Sequence, residues 1–303
     1  WMPKAYESPE ITGKITEAAA SITGLAPGTP VVAGGGDNAA SAIGNGIVET
    51  GLVFSSVGTS GVVFAYSDQP VVDPGLRVHT FCHAVPGKWH LMGVMLSAGG
   101  SLRWYRDTFC AEERSVALNL GCDPYEIIAD EAATVPPGAE GLIFLPYLTG
   151  ERTPHADPMA KGVFFGITLR HNKPHFARAV LEGVAYGLKD SFEIFKELKV
   201  PITQVRATGG GAKSPLWCQI QADVVGMEHV TIKSGEGPAM GAALLAGVGT
   251  GVYESVIDAC RSTVMIDKSV QPVADNSKIY NQYYETYKSL YRSLKNDFHA
   301  IIR

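Results

Sequence analysis

The chain reads as an α/β protein, a mixed or parallel sheet wrapped by helices. Three observations predict this. Val31-Val32 leads through Gly34-Gly35-Gly36 into Asp37 and a run of small residues that reads as helix. A second strand–glycine–helix junction stands at Thr208-Gly209-Gly210-Gly211-Ala212. Beyond residue 202, strand-length and helix-length apolar segments alternate. Glycine lets the backbone turn sharply and lets another molecule come close to it. The carboxyl ends of strands are where open α/β sheets hold their ligands. Two such junctions point to an enzyme acting on a small, phosphate-rich substrate.

In chain order, Thr12–Thr23 reads as a helix and Pro27-Gly28 as a turn. The strand Pro30–Ala33 precedes the helix at Asp37. Ile47–Val57, Val62–Ala65, Val78–Ala84 and Trp89–Val94 read as strands separated by Gly, Asp and Pro turns. Gly99–Thr108 and Asp123–Thr134 read as helices. Gly141–Leu148 reads as a short strand running into a polar, irregular segment, Thr149–Gly162. Pro174–Leu198 carries the clearest helical period: Phe176, Val180, Val184, Leu188, Phe192 and Phe195 recur at spacings of three and four. Strand Ile202–Thr208, helix Pro215–Val225, strand Val230–Ile232 and helix Pro238–Ala246 follow. Ser277–Ile301 is expected to be a long packing helix with Ile279, Tyr283, Tyr287, Leu290, Leu294 and Phe298 on one face.

With 303 residues, 46% of them hydrophobic, the chain can bury the core of one large domain or two moderate ones. A net charge of −5 without a basic stripe argues against nucleic-acid and anionic-membrane partners. The five cysteines (Cys82, Cys110, Cys122, Cys218, Cys260) form no Cys-x-x-Cys pair, which suits a reducing compartment. No apolar run approaches the roughly 20 residues of a membrane span. Trp1-Met2-Pro3-Lys4 lacks the pattern of a signal peptide. A cytoplasmic location is the expectation.

Asp37 carries two readings: a carboxylate base presented to a cleft, or a plain helix N-cap. The two are compatible. Gly58-Thr59-Ser60-Gly61 reads as a hairpin whose N–H groups and hydroxyls receive phosphate oxygens, or as a simple Ser/Gly turn. It is not a nucleophile elbow, which needs Gly-x-Ser-x-Gly. Gly209-Gly210-Gly211-Ala212-Lys213-Ser214 misses the Walker pattern, because Ala stands at 207 and 212 where that pattern requires Gly. What survives is bare backbone at a helix N-terminus, where a nucleotide can lie. Gly235-Glu236-Gly237-Pro238-Ala239-Met240-Gly241 imitates a dinucleotide fingerprint with the wrong spacing and reads as close helix packing. His79, Cys82, His83 and His90 lack a second pair at ligand spacing, so they read as strand residues rather than zinc ligands. Arg152 reads as an anion-binding residue or, favoured by its local sequence, as a loop pin paired with Glu151.

Together these segments resemble the FGGY carbohydrate kinases, and among them those that phosphorylate xylulose. The residues that carry the resemblance are Gly34–Asn38, Ser56-Val57-Gly58-Thr59-Ser60-Gly61, His79-Thr80-Phe81-Cys82-His83-Ala84 and Trp89-His90-Leu91-Met92. Further along are Phe144-Leu145-Pro146-Tyr147-Leu148-Thr149-Gly150-Glu151-Arg152-Thr153-Pro154-His155 and Lys161-Gly162-Val163-Phe164-Phe165-Gly166. Arg178-Ala179-Val180-Leu181-Glu182-Gly183-Val184 and Gly209-Gly210-Gly211-Ala212 complete it, in the family's order.

The resemblance implies an actin-like ATPase fold, two RNase H-type domains closing over sugar and nucleotide. It implies ATP and Mg²⁺, a small sugar as partner, and leaves room for a homodimer. Asp37 matches the general base and Asn38 a neighbouring sugar contact. Gly58 and Thr59 match the phosphate loop, Gly99, Arg103 and Trp104 positions lining the nucleotide site, and Gly210, Gly211, Ala212 and Pro215 the adenosine pocket. Several relatives carry Asn where Pro215 stands, so a backbone contact is expected there rather than a side-chain one.

The family's first domain opens on an Asp-x-Gly-Thr strand, and no such motif occurs here. The chain is therefore expected to be the C-terminal portion of a kinase acting on the 5-hydroxyl of D-xylulose, with the first domain largely missing. Residues 1–45 would trail from the N-terminal domain with the catalytic Asp, and residues 46–303 would form the nucleotide-binding domain. Alone it would be inactive. The alternatives are a kinase for another polyol, ketose or aldonate, and a non-catalytic actin-like binder of sugar or nucleotide.

Overall fold

The first regular elements are a strand, β1 (Ile11–Lys14), and a short helix, α1 (Glu17–Thr23). Thr16 caps the helix by accepting the Ala19 N–H at 3.2 Å, and the chain leaves it through Gly24 at a φ of 74°. β1 pairs antiparallel with β2 (Pro30–Val32). The single helix expected over Thr12–Thr23 is thus corrected to a strand and a helix. Ile11 and Thr12 are β-branched, Gly13 disfavours helix, and the 30–32 backbone supplies pairing partners. The computed structural model describes residues 1–233 and 237–301.

Next come α2 (Asp37–Gly44), β3 (Gly51–Val57), β4 (Gly61–Ser67), β5 (His79–Cys82) and β6 (Trp89–Met95). Helices α3 (Gly99–Phe109), α4 (Ala111–Leu120) and α5 (Pro124–Ala133) lead to the short pair β7 (Ile143–Leu145) and β8 (Val163–Phe165). The rest is α6 (Lys173–Glu197), β9 (Ile202–Gly209), α7 (Pro215–Val225), β10 (His229–Ile232), α8 (Gly237–Gly249), α9 (Val256–Thr263), β11 (Ile266–Val270) and α10 (Ala274–Ala300). The strand expected from Ile47 starts only at Gly51. Ile47 and Val48 are buried in the connection, where Ile47 N–H donates to Ala42 O at 2.8 Å. The sequence reading placed no element at α4, β8, α9 or β11. The Gly235-Glu236 part of the fingerprint-like run lies outside the described residues.

Seven strands form one mixed sheet in the order β11-β10-β9-β3-β4-β6-β5. β3, β9 and β10 run parallel, and the remaining neighbours are antiparallel. Side chains alternate across it. Val53, Val57, Val63, Leu91 and Val205 join a core with α6, α7 and α10, whereas Phe54, Phe64 and Tyr66 join a second core with α2, α8 and α9. On that second face α2 and α8 touch backbone to backbone: a Cβ at Gly44 would strike Gly237 O, and one at Gly241 would strike Ala40 O. His83 and His90 lie here, packed edge-on and face-on against Phe64. Burial holds them to about 3 and about 4, neutral residues of an aromatic core.

On the first face α6 is enclosed nearly all round, buried continuously from Ala177 to Phe192. Gly183 lets it approach Phe144 O, and Gly187 lets it approach Met95. The tail helix α10 lies against it, but not with the expected face. Its buried set is Tyr280, Tyr284, Tyr287, Leu290, Tyr291 and Phe298, while Ile279, Tyr283 and Leu294 are half-buried. The stripe is rotated because its tyrosines bury their rings while their hydroxyls reach polar partners. Tyr280 O–H donates to Glu182 Oε1 at 2.9 Å, Tyr284 to Asp190 Oδ1 at 2.6 Å and Tyr291 to Asp157 Oδ2 at 2.9 Å.

Burial pushes the Asp190 carboxyl up to about 7, against the Tyr284 hydrogen bond. Its stabilising contribution is therefore full below the ordinary carboxylate range and is lost as pH rises through about 7. His83, His90, His155 and His229, all held low by burial, act oppositely, but only below the ordinary histidine value of roughly 6.5. The urea midpoint is expected to fall between roughly pH 6.5 and 8, the range through which the buried carboxyls of Asp190 and Glu151, pushed up to about 7 and about 8, lose their protons in the folded chain. In an Asp190→Asn variant that fall should be shallower. An unchanged slope would remove Asp190 from the account.

Candidate functional site

β3 and β9 end side by side. Their last register pair is Val57 with Gly209, so both carboxyl ends open at one edge of the sheet. Beyond Val57 the chain turns over Gly58, Thr59 and Ser60 and returns as β4, with Gly58 N–H donating to Ser60 O at 3.0 Å. The carbonyls of this turn point at the start of α3. Gly99 N–H donates to Gly58 O at 2.8 Å, and Ala98 and Gly100 N–H both donate to Thr59 O at 3.0 Å. A helix N-terminus leaves such groups without internal partners, and here they are used inward. Only glycine fits: a Cβ at Gly99 would lie 2.5 Å from Gly58 O.

The outward side of the turn is free. Thr59 and Ser60 are exposed, and among the described residues neither their hydroxyls nor their N–H groups have a hydrogen-bond partner. Next to them, Gly209 takes a φ of +75°, and its Cβ would meet Val57 O at 2.7 Å. Gly211 is buried with its Cβ position 2.6 Å from Val57 Cβ. A 3₁₀ turn over Gly210–Lys213 then delivers Ser214, which caps α7 by accepting the Trp217 N–H at 3.3 Å. Pro215 is exposed in the first turn of α7 and Ala212 half-buried. The result is a shelf of exposed backbone and hydroxyl donors, without a carboxylate among its own residues. Such a surface receives anionic oxygens.

Of the residues expected at a nucleotide site, Gly58, Thr59, Gly99, Gly210, Gly211, Ala212 and Pro215 meet at or behind this shelf. Gly99 serves it from behind, through its N–H. Arg103 is exposed on α3, without an ion pair among the described residues. Trp104 packs inward, its ring parallel to Phe144 at 6.1 Å and edge-on to Phe109 at 5.5 Å. Ser60, singled out only as part of the turn, presents the same donors as Thr59.

Asp37 and Asn38 belong to α2. Gly36 occupies the cap position, so Asp37 is the first residue of the helix rather than its cap. Its Oδ1 accepts the Asn38 N–H at 2.8 Å and Asn38 Nδ2 at 3.3 Å, and the side chain is exposed. No hydrogen bond among the described residues links this pair to the shelf.

The ion pair expected between Arg152 and Glu151 does not form: Arg152 is exposed, and no ion pair of it stands among the described residues. The buried member is Glu151 itself. Its Oε1 accepts the N–H groups of Leu96 at 2.9 Å and Arg152 at 2.7 Å. Burial pushes its carboxyl up to about 8. Among the described residues, no group of three or more His, Cys, Asp or Glu could hold a metal ion, and no helix is long and apolar enough to cross a membrane.

The sequence matches the model of the "FGGY family of carbohydrate kinases, C-terminal domain" over residues 53–250, and the N-terminal domain model of the same family over residues 1–44. It is 39% identical to a xylulose kinase of Staphylococcus epidermidis over 293 residues, 97% of this chain and 57% of that protein. It is 37% identical to a gluconokinase of Bacillus subtilis, covering 92% and 54%. A solved xylulose kinase from Rhodospirillum rubrum superposes with a TM-score of 0.86 at 31% identity, covering 98% of this chain and 58% of that one. The chain thus spans a little over half the length of these relatives.

Adding a methyl group at Gly99 tests the turn. Gly99→Ala is expected to force Gly58 and Thr59 away and lower unfolding free energy by about 1–3 kcal/mol. Denaturant titration measures it; a neutral substitution would mean the α3 contact is slack.

Proposed function

The chain belongs to the FGGY family of carbohydrate kinases, and from that premise we propose that it is the nucleotide-holding part of an ATP-dependent kinase for D-xylulose. The observation that carries the reading is the shelf at the ends of β3 and β9, where Thr59 and Ser60 offer free donors beside the bare backbone of Gly209–Gly211. Phosphoryl transfer is mainly positioning and charge stabilisation. In this reading Gly58, Thr59 and Ser60 receive the phosphate oxygens, and Gly210, Gly211, Ala212 and Pro215 border the adenosine. Arg103 stands at the rim, and Trp104 supports the wall from within.

Asp37 takes the proton from the attacking 5-hydroxyl, a role for which an exposed carboxylate at a helix start, with Oδ1 held by Asn38 and Oδ2 without a partner among the described residues, is suited. Asn38 orients it and contacts the sugar. A positioned base contributes roughly 10²–10⁴-fold. Residues 1–45 are assigned to the end of the N-terminal domain and 46–303 to the C-terminal one, a division supported by the two family models. Mg²⁺, if bound with the nucleotide, would offset negative charge on the phosphates. The described residues offer it no ligand cluster, so no step is assigned to it. The reading expects this chain alone to bind nucleotide without turnover. The gluconokinase relative favours one alternative, an aldonate in place of xylulose.

Calorimetry with ATP and Mg²⁺ tests the assignment. A Thr59→Ala/Ser60→Ala double variant is expected to weaken binding by roughly tenfold or more, as two charge-assisted hydrogen bonds are lost. Asp37→Ala should leave the affinity unchanged. In an enzyme of the relatives' full length, Asp37→Ala should lower kcat by about 10²–10⁴-fold, with D-xylulose and gluconate compared as substrates. Binding indifferent to Thr59 and Ser60 would move the nucleotide elsewhere.

A further inference from the structure

The irregular segment between β7 and β8 is held on two sides. Outward, Asp157 Oδ2 accepts the Tyr291 O–H at 2.9 Å and lies 3.0 Å from His299 Nε2, while Tyr147 O–H donates to Tyr287 Oη at 3.0 Å. Both anchor it to α10. Internally, Glu151 and Asp157 exchange backbone hydrogen bonds of 2.9 and 2.8 Å.

Inward, the segment continues the ladder of β6. The register of β6 with β4 stops at Met95, opposite Gly61. From Val94 onward β6 and the residues after it also take partners from 149–153. Thr153 N–H donates to Val94 O at 2.9 Å, and Thr153 Oγ1 accepts the Val94 N–H at 3.0 Å. Glu151 Oε1 takes the Leu96 N–H, and the Thr149 and Ser97 hydroxyls meet at 2.8 Å. Immediately after Ser97 come the three N–H groups that hold the Gly58 and Thr59 carbonyls.

We propose that Glu151 is a positioning residue for the nucleotide loop: by accepting the Leu96 N–H it fixes the turn 96–98, which holds Gly58 and Thr59 and so aims Thr59 and Ser60 outward. The link from that aim to nucleotide rests on the kinase reading above. Glu151 is 2% exposed, and its Oε2 has no hydrogen-bond partner among the described residues. A neutral carboxyl in this place acts through its acceptor oxygen rather than its charge, and glutamine supplies the same acceptor.

The test is hydrogen exchange on the whole chain, with ATP affinity measured on the same samples in Mg²⁺. In Glu151→Ala, exchange at Gly58 and at 98–100 should quicken by roughly tenfold, as the buried Leu96 hydrogen bond is lost. ATP binding should weaken by a similar factor. Glu151→Gln should stay within about twofold of the parent in both, and peptides from α9 and β11 should not change. Glu151→Met, of matching length without an acceptor, replaces the alanine variant if that does not fold. Loosening confined to 147–160 would overturn the proposal, as would Glu151→Gln behaving like Glu151→Ala. If the exchange pattern appears while the parent chain binds no ATP, the positioning stands and the kinase reading of the shelf falls.

Discussion

Two backbone carbonyls at the end of a strand need donors, and the start of a helix has donors without acceptors. Gly58 O, Thr59 O and the N–H groups of Ala98, Gly99 and Gly100 settle both needs at once. That exchange orients the β3–β4 turn and demands glycine at 99. It also decides which donors remain for a ligand, namely those of Thr59 and Ser60. An N-terminus facing a phosphate is the familiar use of a helix dipole; here α3 supports the loop instead.

Behind this turn the molecule is tied together by polar groups inside an apolar core. Four tyrosines on one side of α10 each place a hydroxyl within hydrogen-bonding distance of a partner on α6 or on the 147–157 segment. Arg178 adds a 2.7 Å ion pair to Glu182, which also accepts the Gly138 N–H at 2.9 Å. Buried polar networks of this kind hold a unique arrangement when their members are satisfied, because each broken bond strands a partner in a low dielectric. The tail helix therefore fixes the irregular segment, and that segment borders the end of β6.

Much of this was legible in the sequence. The α6 stripe announced itself because apolar residues at spacings of three and four leave few alternatives. The strand ends at Val57 and Gly209 were marked by glycines that the packing requires. The α10 face was misjudged by one position, since tyrosine counts as apolar in a periodicity while its hydroxyl seeks polar company. β1 was taken for helix because a pairing partner 18 residues downstream, Val31 for Gly13, is invisible to a local pattern. The α3 clamp and the Glu151 contact were out of reach for the same reason: Leu96 meets a side chain 55 positions away. For Arg152, a nearby opposite charge suggested an ion pair, whereas burial had already removed Glu151 from that role.

The central pairing also dictates a history for the chain. Thr203 Oγ1 reaches Gly51 O across 152 positions, so five strands and four helices are synthesised between β3 and its parallel neighbour. Contacts of such separation form slowly, because a long loop must close before they reward it. Until β9 arrives, β3 is an open edge of seven apolar-rich residues, the kind of surface through which nascent chains associate wrongly. A shelf assembled from both strands thus comes into being only at the end of folding, and the chain's vulnerability to misassembly is concentrated at the place where its chemistry is assigned.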